Sequence, residues 1–303
     1  MLRAFRPGAA PVLAPALSEL PDDPERVRSM LFRDVHGTAA EALALVWEGA
    51  EHVFRRDPGS YGVTGLERVA HGAHTPLATA YTAASRALGL LRTALFQRRS
   101  AGSVTLNVAL LSPPAIILSG DVRADTAELR FHLGAMLAAA MSERVLMFGS
   151  PESQVRTVLA ALGLAFGPPG QSRPNLTGAA HLAEVLWEAI PARSQRRLAE
   201  LCEQPDATDY DLASSRAYLA TRRAGLFVCG DLPTAVREIA SEAAMDTSAL
   251  ANPGGLKAAC AENEAIADLV CLATSAEYAE ARWQPLRTGP RQPSGTWRAA
   301  VGK

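Results

Sequence analysis

Apolar residues recur at three- and four-residue spacing over most of this chain and leave that period in only one stretch. From Glu25 to about Phe54 the pattern is helical. Gly37 is a candidate break there, and Leu43, Val46, Trp47, Ala50 and Phe54 form the clearest apolar stripe. A second helix is expected over residues 76–90, where Leu77, Tyr81, Ala84 and Leu88 share one side. The period then shortens. Residues 94–98, 104–111 and 115–119 read as three short strands separated by SAGS and SPP. The run Ala115-Ile116-Ile117-Leu118 is apolar without alternation, which suits a strand covered on both faces.

Helical spacing then resumes. Asp125 and Glu128 are spaced as a capping box, and Leu129, Leu133, Met136, Leu137 and Ala140 follow as an apolar stripe. Ser150 and Pro151 predict the N-cap and first turn of another helix. Further helices are expected at 176–189, 193–203 and 209–229, the last stopped by Gly230 in the left-handed position after the helix. Asp231 then caps DLPTAVREIASEAA, and residues 261–275 with AEYAEARW end the helical region. RRDPGSYG and GPPGQSRP are expected loops. Residues 1–25, rich in Pro and Ala, suit a disordered segment or a linker, and residues 286–303 are a basic tail of disordered composition. The expected architecture is a mainly helical α+β fold. A helical N-terminal layer (26–92) precedes a lobe (93–285) with a small three-stranded sheet.

Composition narrows the classes of function. The 303 residues are 48% hydrophobic, enough for a sizeable core, and a formal net charge of -1 gives no electrostatic case for a nucleic-acid or membrane partner. Lys257 and Lys303 are the only lysines, an arginine bias that fits a GC-rich bacterial genome. Cys202, Cys229, Cys260 and Cys271 lack the CxxC spacing of a zinc or redox site and are expected to be free thiols in the cytoplasm. No apolar run reaches the roughly 20 residues of a membrane helix.

Two segments carry a family resemblance. The chain reads ELRFHLGAMLAAAM from Glu128 and YLATRRAGLFVCGDL from Tyr218. The first is similar to the apolar segment ELxFxLG that leads into HELGH in HtpX-like zinc peptidases (gluzincins). The second is similar to the E-x-x-A-D-R-A-G-L segment of their later helix. In that family two histidines one turn apart bind zinc, the glutamate between them activates water, and the later helix supplies a third ligand. On this alignment Ala135, Met136 and Ala139 stand at the His, Glu and His positions. Tyr218 replaces the ligand glutamate, and Arg222 replaces the aspartate behind it. None of these side chains can build the zinc site, and Arg222 would repel a dication. The resemblance covers roughly residues 90–285 and extends to the C-terminal domain of large myxobacterial-type helical-repeat proteins, where the zinc motif is often eroded. It implies a catalytically inactive pseudo-metallopeptidase domain, a zincin-like lobe serving as an interaction or scaffold module. A protein or peptide partner and no metal or other cofactor are expected. Without the resemblance, residues 126–142 are an ordinary amphipathic core helix.

Other chemistry is sparse. His132 lies one turn before Ala135, and with Tyr218 and Arg222 it could line a binding cleft. Were these three joined by a carboxylate, an enzyme of another type, using a non-metal site in that cleft, would be the alternative reading. His71 and His74 (HGAH) flank a glycine and suit a turn better than a metal site, while His36, His52 and His181 are scattered. No GxSxG elbow, SxxK pair or phosphate loop is present, and the apolar run around Cys229 is a poor setting for a thiolate.

Overall fold

The computed structural model of the chain describes residues 24–62, 68–100, 102–169 and 176–283. The tail expected at 286–303 and most of the GPPGQSRP loop lie outside the described residues. So does the expected linker up to Asp23, whereas Pro24 and Glu25 already belong to the first helix.

The N-terminal helical stretch divides into α1 (Pro24–Phe32) and α2 (Thr38–Phe54), with Gly37 at the start of α2 in extended conformation. Helix α3 (Pro76–Ala87) follows, capped by Thr75, whose hydroxyl accepts from the Ala78 amide. The strands fall where the change of period puts them: β1 (Ala94–Arg98), β2 (Thr105–Ala109) and β3 (Ala115–Ser119). Their order is β1-β3-β2, with β1 parallel and β2 antiparallel to β3. The central strand is the uniformly apolar one, and none of Ala115 to Leu118 is more than 4% exposed. Helix α4 (Ala127–Ala139) runs on from the sheet.

Ten of the thirteen α-helices among the described residues come after the sheet. After α4 come α5 (Val145–Gly149), α6 (Glu152–Phe166), α7 (Ala179–Ala189) and α8 (Ala192–Cys202). The longest, α9 (Tyr210–Cys229), is capped by Asp209 and stopped by Gly230 at φ 66. Asp231 then caps α10 (Leu232–Glu242), and α11 (Pro253–Glu262), α12 (Glu264–Thr274) and α13 (Ala276–Trp283) end the described chain. The fold is thus a mainly helical α+β one. Buried side chains from α1 through α13 share one continuous core.

Three local expectations need correction. The N-cap of α4 is Thr126, whose hydroxyl accepts from the Leu129 amide, and not Asp125. Asp125 instead receives both Nε and Nη2 of Arg130, a bidentate pair that draws its carboxylate away from the helix start. Pro151, not Ser150, stands at the N-cap of α6, because Ser150 still closes α5 through its amide to the Leu146 carbonyl. The single helix expected over 261–275 is broken at Asn263. Its extended backbone interrupts the turn while its side chain accepts from the Ala265 and Ile266 amides, and α11 begins earlier than expected.

Candidate functional site

Helices α4 and α9 meet at two glycines, and both belong to the segments that carry the family resemblance. A Cβ on Gly134 would lie 2.8 Å from the Ala224 carbonyl oxygen and from Val228. One on Gly225 would lie 2.8 Å from both the ring and the carbonyl oxygen of Phe131. Only hydrogen at these positions lets the backbones approach so closely. The remainder of α4 is packed on nearly every side. Ala135 and Ala139 are 0% exposed, and the only residues of the helix with appreciable access to solvent are Glu128, His132 and Met136. These three recur every four residues and form one stripe along α4.

The stripe faces α10. His132 Nε2 lies 2.8 Å from Glu238 Oε2, an ion pair whenever the imidazole is protonated. Glu242, one turn further along α10, accepts from Tyr218 Oη at 3.0 Å and from Arg222 Nη2 at 2.7 Å. The Arg222 guanidinium also lies over the Tyr218 ring at 4.4 Å and the Phe131 ring at 5.9 Å. Burial raises the Tyr218 hydroxyl above the ordinary tyrosine range, so it serves as a donor at neutral pH. The three residues named from the sequence as a cleft lining all reach α10, His132 at Glu238 and Tyr218 with Arg222 at Glu242, so two carboxylates are involved rather than one. Sequence reasoning missed Glu238 and Glu242. The available signal was their i,i+4 spacing on a helix already read from Asp231.

The cluster's chemistry is mutual. Each carboxylate is held by a donor from α4 or α9, and the set ties α10 onto the α4–α9 pair. Among the described residues the His132 side chain is hydrogen-bonded to Glu238 alone. The thiol of Cys229 is fully buried, and burial pushes its pKa up to about 12, which keeps it protonated and unreactive at neutral pH. Among the described residues no three His, Cys, Asp or Glu side chains are grouped to hold a metal ion. His71 stacks on Tyr81 at 4.4 Å in the turn before α3 and approaches Thr82, while His74 makes no side-chain contact to it. Likewise among the described residues, no helix is long and apolar enough to cross a membrane.

Next to Arg222, Arg223 points the other way. Its Nε and Nη2 reach Asp268 on α12 at 2.8 and 2.6 Å, Nη2 also meets Asp34, and Nη1 donates to the Leu31 carbonyl. Part of the RAGL segment is thus a structural clamp joining α1, α9 and α12. No protein-family model matches the chain, and no curated protein or solved structure matches it either.

Proposed function

We propose that the protein is a catalytically inactive domain of zinc-peptidase ancestry that acts as an interaction or scaffold module. The observation that carries this reading is the complete burial of Ala135 and Ala139. The positions at which the family resemblance places metal ligands are here methyl groups of the core. Two further features support it. Gly134 and Gly225, one in each matched segment, form a single helix crossing, so the two segments belong to one structural unit. Tyr218 and Arg222, at the remaining motif positions, are engaged with Glu242.

Loss of metal leaves the backbone recognition of a peptide groove intact, because that recognition runs through main-chain hydrogen bonds at a sheet edge. Among the described residues β2 pairs with β3 alone, with Thr105 and Asn107 exposed, whereas β1 is also bridged on its outer side, between Arg68 and Phe96. The occupant proposed for β2 is an extended peptide segment of another protein. The test is selection from a displayed peptide library, followed by amide hydrogen exchange and mass spectrometry of the bound peptide. Slowed exchange over Thr105–Ala109 with the peptide left intact is the expected result. Cleavage of the peptide, or protection confined to helices, overturns the reading.

The second reading, an enzyme without metal, draws on the convergence of His132, Glu238, Tyr218, Arg222 and Glu242. Turnover of an ester or amide substrate that disappears in His132→Ala would favour it over the first.

A further inference from the structure

The hydrogen-bonding groups that β2 leaves unused follow from the ladder beside it. Just past β3, the Gly120 amide donates to the Arg98 carbonyl of β1. Successive residues of a strand turn to opposite neighbours, so Ile116 and Leu118 also serve β1. Ala115, Ile117 and Ser119 then serve β2, through Ala109, Asn107 and Thr105. The N–H and C=O groups of Leu106 and Val108 are left turned outward, and among the described residues they have no main-chain partner outside the ladder. This free run stops at Leu110, whose amide donates to Tyr61 Oη at 2.9 Å and whose carbonyl accepts from the Arg56 amide at 2.8 Å.

The charge around this edge is one-sided. Residues 55–123 hold eight arginines against Asp57, Glu67 and Asp121, a net charge of +5 in a chain whose total is -1, so the rest of the chain carries -6. Every arginine that forms an ion pair among the described residues lies outside that stretch. Such cations flank both ends of β2. Arg56, exposed beside Arg55, is bonded through its amide to Leu110 at the C-terminal end. At the other end Thr105 is in register with Ser119 and Ser119 with Arg98, and alternation puts Arg98 on the face of Thr105 and Asn107. The exposed Arg99 follows it. Arg123, also exposed, lies three residues past Gly120, where a Cβ would come within 3.1 Å of Val104 just before β2.

Guanidinium groups without ion pairs on both sides of a strand edge are complementary to carboxylates on both sides of an added strand. A nucleic acid fits less well. It gains nothing from the main-chain groups of Leu106 and Val108, and it meets the net negative charge of the rest of the chain. We propose that the segment taken by β2 is acidic. Its extended centre pairs with Leu106 and Val108, and Asp or Glu residues before and after that centre meet Arg55 and Arg56 at one end and Arg98, Arg99 and Arg123 at the other. This rests on the reading of β2 as a peptide edge and adds the charge of its partner.

Three capped, dye-labelled heptapeptides with a central Val-Thr-Val test it by fluorescence anisotropy. Asp-Glu, Ser-Gln or Lys-Arg pairs flank that centre, and an oligothymidylate of matching charge is the fourth probe. The acidic peptide is expected to bind at least roughly tenfold more tightly than the neutral one, and the basic one more weakly than either. Raising the salt from about 0.05 to about 0.5 M should erase most of that advantage. Arg56→Glu and Arg99→Glu should each reduce it without change in circular dichroism, and the acidic peptide should slow amide exchange at Leu106 and Val108. A neutral peptide that binds as tightly and slows the same amides overturns the acidic preference and leaves the peptide edge standing. Oligothymidylate bound as tightly as the acidic peptide overturns the proposal in favour of a general polyanion surface. If no probe slows exchange in β2 the proposal fails, and the peptide edge is then decided by the library selection.

Discussion

Arg222 and Arg223 are neighbours on α9, yet they do different work. Arg223 is 8% exposed and gives three of its nitrogens to Asp268, Asp34 and the Leu31 carbonyl. Arg222 makes one charged hydrogen bond, to a carboxylate that is 34% exposed, and its buried Nε has no partner. The same side chain on adjacent positions is a clamp with three partners on one face and a less fully partnered cation on the other, at 8% and 11% side-chain exposure. The α4–α9 pair divides in the same way. Its inner side is glycine and alanine at van der Waals contact, and its outer side is the His132, Tyr218 and Arg222 cluster over α10. What separates the two sides is how many partners each group holds and how exposed its carboxylate is, 16% for Asp268 and 34% for Glu242, and that governs what its loss costs.

Substitutions that reach the inner side are expected to cost most. In Gly225→Val the new Cβ meets the Phe131 ring and carbonyl at 2.8 Å, and rigid β-branched bulk cannot turn aside. A loss of about 3 kcal/mol or more is expected in urea unfolding. A loss under about 1 kcal/mol would mean that the helices are not in contact there. Arg223→Ala leaves Asp268, 16% exposed, with a buried and unpaired carboxylate, and a cost of about 3 kcal/mol is expected in the same measurement.

The alkaline limb of stability should follow the buried thiol. Below pH 9 both folded and unfolded Cys229 hold the proton, so its contribution is constant. Between pH 9 and about 12 only the unfolded chain releases it, and stability falls as pH rises, by up to about 1 kcal/mol per unit. Burial raises the Tyr278 hydroxyl as well and adds to the same slope. Urea midpoints taken on either side of pH 9 check this, and Cys229→Ala should flatten the part due to the thiol. The smallest effects belong to the outer side. Glu242→Gln and His132→Ala are each expected to cost about 1 kcal/mol or less, since Gln keeps an oxygen that can accept from Arg222 and Tyr218, and Glu238, 26% exposed, can reach water. If either costs as much as Arg223→Ala, the contrast between the two faces is wrong.

The parts of this fold legible in the sequence were those set by neighbouring residues. AIIL has no polar position and so required cover on both sides. Gly230 and Asp231 act on turns and amides within three residues and were placed correctly, while Asp209, expected as the first residue of α9, caps it. The failures arose where a distant or competing partner decides. Thr126 and Asp125 are both good caps, and Arg130, by binding Asp125, leaves the role to Thr126. The partners of Arg223 lie 189 and 45 residues away, on helices that only packing brings near. The stripe predicted along α4 understated its burial, because alanine and glycine mark a face that another helix covers as readily as a face left to solvent. Of the site, the grouping of His132, Tyr218 and Arg222 came from the family alignment, while Glu238 and Glu242 needed the fold.

The measurement closest to the central claim is the metal content of the purified, tag-free protein by mass spectrometry. Well under one equivalent of zinc or any other transition metal is expected, with a thermal midpoint that neither chelator nor added zinc displaces. Close to one bound equivalent, lost together with several degrees of stability on chelation, would contradict the account and make a metal ligand set, not a packed alanine face, the organising feature of this lobe.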